Sequence, residues 1–498
     1  MLTPVPWRVV TDTALWSQNW PGIPRPARGE IRTRFTHCTL CPAGCAVRAR
    51  CVGDQPVSLI GLPRKPLCAF GLTGHQLPYH ANRITQGDAQ GAAEAIRTAL
   101  LRRSAGESVA VLDLRPGRTA SWTYRRAMAR LSCGIYLAPQ SALPAIDLDR
   151  VKTILSFGVP VLDGWGTPWN VLAARKHFRL IQAEPIESHT AALADEWLPI
   201  RRGSEEALAH AIHSVLTGGS ADVAAAADRT GVPRTLIVSV AQELARDGAL
   251  VLALEESAAV MELNRLLAGH AVVGRREAPV PPDWKQSAAP VTSFGSVPDA
   301  SIRVLLVDES VGDSYFPWSA LQRKLTPDSV VVTFASSPSG YGRNARFTLP
   351  AAVYPETLDD IPAAIDSPVA AFRLAVPLVA PPDAAVNPAR FIADLAELDV
   401  ADPLHERANA IHASKQGSVL SYADSQSIPL ANMKADEFWK TLNEGGCWID
   451  DTGNGPPIDL RASAPAVVAM TWEMRAARGP MSPLVSKLYQ ESNLRVRV

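Results

Sequence analysis

The sequence predicts an α/β protein in which parallel sheets follow a small cysteine-rich segment. From about residue 91 onward, short apolar strands alternate with Ala-rich helices, which is the pattern of parallel sheets. Five of the seven cysteines lie between residues 38 and 68, so they mark a local site rather than a disulfide scaffold. The chain has 498 residues, which is enough for about three or four domains.

The composition is that of ordinary globular domains. Hydrophobic residues make up 47% of the chain and charged residues 20%, which disfavours both disorder and a coiled coil. The 49 cationic and 49 anionic side chains give a net charge of zero, so nucleic-acid binding is excluded as the main role. No run of about 18 apolar residues occurs, and we therefore expect no membrane span. The first residues do not have the pattern of a signal peptide.

Each element is predicted from its local pattern. VRARCV–GDQ–PVSLI alternates apolar and polar residues on both sides of a turn, which predicts a hairpin. Strands are predicted over short apolar runs at 108–114, 152–157, 178–183, 195–200, 249–254, 302–308 and 329–334. Helices are predicted over longer stretches at 91–103, 119–131, 204–216, 258–268 and 317–325. No Gly-x-Gly-x-x-Gly or Walker A loop accompanies these strands.

Changes of pattern along the chain predict its domains. They are an N-terminal arm (1–35), a cysteine domain (36–90), a discontinuous α/β domain (91–150 and 275–375), a second α/β domain (151–274), a Pro-rich linker (376–388) and a C-terminal domain (389–498). The cysteine domain is too small to fold without a metal centre or its neighbours.

The strongest chemical signal is a group of four cysteines. Three lie in HCTLCPAGC, a C-x2-C-x3-C run, and the fourth lies in PLCAFG. We name this group the cysteine quartet: Cys38, Cys41, Cys45 and Cys68. A cubane iron–sulfur cluster needs four thiolates that converge on one small object, and Pro42 and Gly44 supply a turn that lets the chain curl round it. The quartet is therefore predicted to hold a 4Fe-4S cluster.

A zinc site is the alternative for the same residues, and a site that has lost its metal is a further one. Structural zinc sites favour two paired C-x-x-C knuckles, whereas here three cysteines lie on one side and one on the other, which favours the cluster. Cys51 lies in the predicted hairpin and is interpreted as a packed strand cysteine. His37 and His75 lie near the quartet and are interpreted as surface or packing residues.

HCTLCPAGC followed by LCAFG resembles the cluster-binding start of the molybdopterin oxidoreductase family. Residues 183–212 and 346–356 also resemble blocks of that family, in the usual order. The resemblance implies a small N-terminal 4Fe-4S domain followed by parallel-sheet, Rossmann-like domains of the molybdopterin oxidoreductase type. It also implies a truncated C-terminal domain, since only about 110 residues follow the linker where complete catalytic subunits add a β-barrel.

Two further departures narrow the resemblance. Catalytic members place a Lys or Arg two residues after the fourth cysteine, between cluster and pterin, whereas this chain has Phe70. Their Cys, selenocysteine or Ser metal ligand has no clear counterpart, because Cys133 follows a helix directly and is interpreted as a core cysteine. These departures point to molybdenum-free relatives, and the segments DTALWSQNWP, HQLPYHANR, GGCWIDD and SPLVSKLY resemble such subunits of two quinone-linked complexes, menaquinone reductase and alternative complex III. We therefore expect no bound molybdopterin.

The narrower resemblance implies an iron–sulfur electron-transfer or scaffold subunit without catalytic residues of its own. The implied partners are a multihaem cytochrome c, a ferredoxin-like iron–sulfur subunit and a polytopic quinone-binding membrane subunit. The implied location is the periplasmic face of the cytoplasmic membrane, with a cytoplasmic location as the alternative because no leader is visible. Two other functions stay open: a catalytic molybdenum or tungsten subunit, and a structural scaffold whose cluster never changes redox state.

Overall fold

The computed structural model describes residues 29–450 and 452, apart from 81, 139–144, 220–222, 254–256, 268–270, 311–315 and 338–339. The strands are β1 Ile31–His37, β2 Ala46–Val52, β3 Gln55–Gly61, β4 Ser108–Asp113, β5 Gly134–Leu137, β6 Ala145–Ile146, β7 Thr153–Phe157, β8 Arg179–Glu184, β9 Glu196–Pro199, β10 Ala249–Ala253, β11 Val272–Val273, β12 Ile302–Asp308, β13 Leu325–Ala335, β14 Phe347–Pro350, β15 Asp359–Ile361, β16 Ala371–Ala375, β17 Ser418–Ser421, β18 Gln426–Pro429 and β19 Cys447–Ile449.

Helices alternate with these strands. The α-helices are α1 Ala69–Thr73, α2 Ala89–Leu101, α3 Thr119–Arg130, α4 Pro168–Ala174, α5 His189–Ala192, α6 Glu205–Thr217, α7 Val223–Thr230, α8 Arg234–Leu244, α9 Ala258–Leu267, α10 Pro282–Ser287, α11 Trp318–Lys324, α12 Pro388–Leu395, α13 Pro403–Ser414 and α14 Ala435–Asn443. Shorter 3-10 turns cover Gly74–Tyr79, Leu148–Arg150, Phe294–Ser296, Gly340–Asn344, Tyr354–Glu356 and Leu430–Asn432, and a π-helical turn covers Val161–Trp165. Within the described residues, no helix has both the length and the apolar character needed to cross a bilayer.

The first sheet is parallel and has the strand order β14-β13-β12-β4-β5. Both of its faces are covered by helices. Along β4, Val109 and Val111 pack with α2 and α3, whereas Ala110 and Leu112 pack toward α11. Because both faces are buried, the strand is a continuous apolar run rather than an alternating one.

The second sheet is also parallel and has the order β10-β7-β8-β9. Along β7, Leu155 and Phe157 pack with α6 and α8, and Ile154 packs toward α4 on the other face. The prediction of an α/β fold with parallel sheets is therefore confirmed. The predicted strands and helices of both sheets are present, although β13 starts at Leu325 rather than at residue 329.

Among the described residues three sheets are antiparallel, the two-stranded sheet β11-β6 and two larger sheets that contact each other. The hairpin sheet β1-β2-β3 contains the predicted hairpin, and the terminal sheet has the order β15-β16-β19-β17-β18. The Thr36 hydroxyl donates to the Val376 carbonyl at 2.7 Å, and the Val376 N–H donates back to the same hydroxyl at 2.8 Å. This exchange joins the end of β1 to the end of β16.

Strand pairing differs from two of the predicted boundaries. Residues 31–35, assigned to the N-terminal arm, form part of β1 and pair with β2. Residues 359–375, assigned to the discontinuous α/β domain, contain β15 and β16 and belong to the terminal sheet. The reason is that these pairings join distant parts of the chain, which local pattern does not reveal. Residues 1–28 of the arm lie outside the described residues, and the domain division as a whole stays a prediction.

A buried arginine joins the carboxyl edge of the first sheet to β15. Arg118 contacts Asp113 at the end of β4 at 3.2 Å, Asp308 at the end of β12 at 2.7 Å, and Asp359 at 2.5 Å. Burial alone would raise the pKa of Asp308, but Arg118 holds it below its usual value. Burial raises the pKa of Asp359 to about 6 even though Arg118 opposes this. One cation thus balances two fully buried carboxylates and a third that is largely buried.

Replacing Gly445 by Ala should destabilise the protein more than replacing Gly106 by Ala. Both glycines have left-handed φ angles, 87° and 89°, so each substitution costs about 1 kcal/mol of backbone strain. At Gly445 the added Cβ would also lie 2.5 Å from the Cβ of Phe35, whereas at Gly106 it meets nothing within 4 Å. Thermal unfolding should therefore show the larger loss for Gly445→Ala, and equal losses would contradict the close contact between β1 and the turn before β19.

Replacing Arg118 by Met should lower the free energy of unfolding by about 3–5 kcal/mol, because buried carboxylates lose their counter-ion. The control is Arg265→Met, which breaks an exposed pair with Glu262 and should cost less than about 1 kcal/mol. Urea unfolding measures both, and similar losses in the two variants would argue against this role for Arg118.

The loss in Arg118→Met should also depend on pH. Without the cation, the pKa of buried Asp359 should rise further above its unfolded value. The folded state then binds more protons than the unfolded state, so stability falls as pH rises. We expect the deficit relative to wild type to be larger at pH 8 than at pH 5, and a deficit that does not change with pH would contradict this explanation.

Candidate metal centre

The structure gathers the cysteine quartet into one buried pocket. Cys38 directly follows β1, Cys41 and Cys45 lie in the turn before β2, and Cys68 immediately precedes α1. Cys38, Cys41 and Cys45 are buried, and Cys68 is partly buried against them. We name the surrounding set the cysteine pocket; besides the quartet it contains Leu40, Ala43, Val47, Ala49, Cys51, Leu59, Leu67, Phe70, Leu77, Val353, Tyr354 and Leu378. Two segments brought together by the hairpin sheet thus supply four sulfur atoms to one place.

The turn between β1 and β2 is closed by its own backbone. The Cys38 N–H donates to the Cys45 carbonyl at 2.9 Å, and the Gly44 N–H donates to the Cys41 carbonyl at 3.3 Å. Gly44 has a φ of +56°, which favours glycine. A Cβ there would lie 2.6 Å from an Arg373 side-chain nitrogen and 2.8 Å from Ile361. The glycine therefore permits both the turn and the close approach of the terminal sheet.

The thiols of the quartet face one another. Burial raises the pKa of Cys38, and the neighbouring thiols of Cys41, Cys68 and Cys45 raise it further. Burial, together with the nearby Cys68, raises the pKa of Cys41 to about 11. Metal binding requires thiolates and releases their protons, so these thiols ionise at neutral pH only with a compensating positive charge.

Two arginines bring positive charge to the turn between β1 and β2 (residues 38–45), which we name the cysteine turn. Arg115 donates to the Thr39 carbonyl at 2.6 Å, and Arg373 donates to the carbonyls of Ala43 and Gly44 at 2.8 and 3.0 Å. Burial raises the pKa of Cys41 and Cys45, and Arg115 and Arg373 respectively oppose these shifts. Phe70, where catalytic members of the resembled family have a cation, is buried in the pocket. The positive charge near the quartet therefore comes from Arg115, which follows β4, and from Arg373 on β16.

Sequence reasoning missed both arginines and had no signal for them. Arg115 is 76 residues from its partner Thr39, and Arg373 is about 330 residues from the turn that it contacts. His37, interpreted as a surface or packing residue, is fully buried, and its Nδ1 lies 3.0 Å from the Leu374 carbonyl. Burial, with Arg373 nearby, lowers the pKa of His37 to about 3, so a neutral, packed histidine joins β1 to β16.

The other three cysteines have different electrostatic neighbours from the quartet. Cys51 is fully buried on β2, as interpreted, and Arg34 and Asp54 rather than thiols affect its pKa, which burial raises. Cys133 packs against the hydrophobic core of the first sheet, in agreement with its interpretation as a core cysteine. Cys447 on β19 is buried beside Arg373 and Tyr422, and burial raises the pKa of its thiol.

The donor set of the quartet fits an iron–sulfur cluster. A cubane cluster is held by four cysteine thiolates, and the quartet offers four sulfurs in a pocket with two cations nearby. Among the described residues, no three His, Cys, Asp or Glu side chains converge as ligands of a single metal ion. That the quartet holds a cluster stays a prediction.

A second concave site lies beyond the carboxyl edge of the first sheet. It is a cavity of about 540 Å³ between that edge and the segment containing Pro377 and Pro388, with Arg118 and Arg390 in its lining. Ligands of doubly wound sheets bind at this kind of position. Here both arginines already have carboxylate partners, since Arg118 contacts its three aspartates and Arg390 contacts Asp394 at 3.0 Å. The described lining therefore offers little uncompensated positive charge to an anionic ligand.

Two proteins of known identity are similar to the chain in sequence, while no family model matches it. The molybdopterin-binding-like subunit of menaquinone reductase from Nitratidesulfovibrio vulgaris is 27% identical over 304 residues, which is 49% of this chain and 44% of that subunit. One subunit of sulfite dehydrogenase from Allochromatium vinosum is 26% identical over 230 residues, which is 37% of this chain and 24% of that protein. The matches therefore span less than half the length of either relative.

The fold likeness covers more of the chain. Acetylene hydratase from Pelobacter acetylenicus superimposes with a TM-score of 0.59 over 90% of this chain and 79% of its own, at 14% sequence identity. At that identity the likeness concerns the fold alone. The sequence relationship to the molybdopterin-binding-like subunit and the shared fold together confirm the predicted resemblance of this chain to the molybdopterin oxidoreductase family.

Proposed function

We propose that the chain is the iron–sulfur electron-transfer or scaffold subunit of a membrane-associated, quinone-linked respiratory oxidoreductase complex. The observation that carries the proposal is the convergence of Cys38, Cys41, Cys45 and Cys68 in the cysteine pocket. The similarity to a subunit of menaquinone reductase supports the quinone-linked part. A 4Fe-4S cluster, when bound, accepts and releases one electron.

The residues of this chain would bind the cluster and exclude water from it. The quartet supplies the thiolates, while Leu40 and Phe70 wall the pocket with apolar surface. Arg115 and Arg373 hold positive charge at the turn, which favours ionised sulfurs in a buried site. No general acid or base is needed for such a role, and the proposal assigns none.

The absence of molybdopterin is part of the same proposal. Molybdopterin carries a phosphate group, and the described lining of the 540 Å³ cavity presents arginines that are already paired. A catalytic molybdenum or tungsten subunit is the second candidate, since the chain resembles the molybdopterin oxidoreductase family. Elemental analysis for molybdenum and tungsten distinguishes the two functions.

We also propose the partners that the resemblance implies, namely a multihaem cytochrome c, a ferredoxin-like iron–sulfur subunit and a polytopic quinone-binding membrane subunit. The related menaquinone reductase chain is itself a subunit, which supports an assembly of several chains. The proposed location is the periplasmic face of the membrane. Co-purification of these subunits from solubilised membranes, followed by mass spectrometry, tests the proposed assembly.

Replacing Cys38 by Ala should remove most of the bound iron, because a cluster that loses one of four thiolates is no longer held on all sides. The pocket should also become less stable, since metal binding contributes to folding. Iron per chain, measured on anaerobically purified protein, gives the result, and the thermal unfolding midpoint reports the stability.

Cys51→Ala is the matched control, because it removes a buried thiol from the same pocket, and no thiol of the quartet affects the pKa of that residue. It should keep its iron. Full iron content in Cys38→Ala, or equal loss of iron in both variants, would refute the assignment of the quartet.

A further inference from the structure

A tyrosine hydroxyl lies in the cysteine pocket without a well-formed hydrogen bond. Tyr354 begins the 3-10 turn after the first sheet and is only 3% exposed. Among the described residues, its hydroxyl meets no acceptor in good hydrogen-bond geometry, although the Cys38 thiol lies close to it. Burying a hydroxyl in this state costs free energy. A stronger acceptor, present once the quartet binds its metal centre, would recover that cost.

The surroundings of the hydroxyl identify that acceptor. Burial raises the pKa of Tyr354, and the Cys38 thiol raises it further, followed by Cys45 and Cys68. The hydroxyl therefore lies beside Cys38 and faces the quartet. A neutral thiol is a weak acceptor, whereas a metal-bound thiolate carries negative charge and accepts a short, strong hydrogen bond.

Gly74 leaves the space that the ring of Tyr354 occupies. A Cβ at Gly74 would lie 2.2 Å from Cδ1 and 2.3 Å from Cε1 of Tyr354. Any larger residue at position 74 would push the ring away, so the lack of a side chain there is what allows the ring to lie in the pocket. Val353 and Leu77 pack in the same pocket.

We propose that the Tyr354 hydroxyl donates a hydrogen bond to the Cys38 thiolate of the bound cluster and thereby raises its reduction potential. This inference rests on the proposed function, because it requires a cluster on the quartet. Reduction adds one electron and therefore negative charge to the cluster sulfurs. A donor to a ligand sulfur stabilises the reduced form more than the oxidised form, and hydrogen bonds to sulfurs are one of the means by which proteins set cluster potentials.

The experiment compares the midpoint potentials of wild type and Tyr354→Phe in an EPR-monitored redox titration with dithionite. Phe keeps the ring and removes only the hydroxyl, so iron content should be unchanged. We expect the reduced-to-oxidised ratio at a fixed potential to fall roughly tenfold, which corresponds to about 59 mV for one electron. A purely structural role would lower stability and leave the potential unchanged.

Tyr341→Phe is the control variant, because it removes a buried tyrosyl hydroxyl from a hydrophobic cluster that contains none of the quartet. Its potential should match wild type. Gly74→Ala supplies a second test, since it displaces the ring, and its potential should fall in the same direction as that of Tyr354→Phe.

The outcomes separate the two proposals. A wild-type protein that binds no iron would refute the proposed function and this inference together. Iron-loaded Tyr354→Phe with the wild-type potential would overturn the inference alone. If Tyr354→Phe does not assemble a cluster, the potential of Gly74→Ala decides by the same criterion.

Discussion

The cysteine turn is shaped by side chains that reach it from distant parts of the chain. Arg115 donates to Thr39 from the connection after β4, and Arg373 donates to Ala43 and Gly44 from β16. The hairpin sheet is small, so its own core is not enough to hold four thiols together against their mutual repulsion when ionised. Carbonyls of the turn accept these hydrogen bonds, and the same guanidinium groups place positive charge beside the sulfurs. Stability and electrostatics of the site thus depend on the same contacts.

This constraint explains why the terminal sheet lies where it does. Thr36 and Val376 exchange hydrogen bonds, and Gly445 lies against the backbone of Phe35. The first sheet is tied to β15 through Arg118, and the residues between β14 and β15 include Tyr354 of the pocket. The first sheet and the terminal sheet therefore both pack against the cysteine turn and hold it in place. The parallel sheets would support the metal centre and partner subunits whether or not they carry a catalytic site.

The sequence predicted what is local. Short apolar runs predicted seven strands of the parallel sheets but not β5 or β14. The spacing of HCTLCPAGC and the isolated Cys68 predicted the quartet, which the structure brings into one pocket. It did not predict Arg115, Arg373 or Tyr354, because their contacts with the turn cross dozens to hundreds of residues and leave no periodic trace. The assignment of residues 359–375 to the terminal sheet was missed for the same reason, since it depends on pairing between β16 and β19.

The central claim is that the quartet holds a redox-active 4Fe-4S cluster in a chain without molybdopterin. Its most direct test is elemental analysis of the anaerobically purified wild-type protein for iron, zinc, molybdenum and tungsten, together with low-temperature EPR after dithionite. The account predicts about four iron atoms per chain, no molybdenum or tungsten, and a reducible S = 1/2 signal. Molybdenum or tungsten with an extractable pterin would contradict it and indicate an enzyme, iron without a reducible signal would indicate a structural scaffold, and zinc alone would show that the quartet is a zinc site.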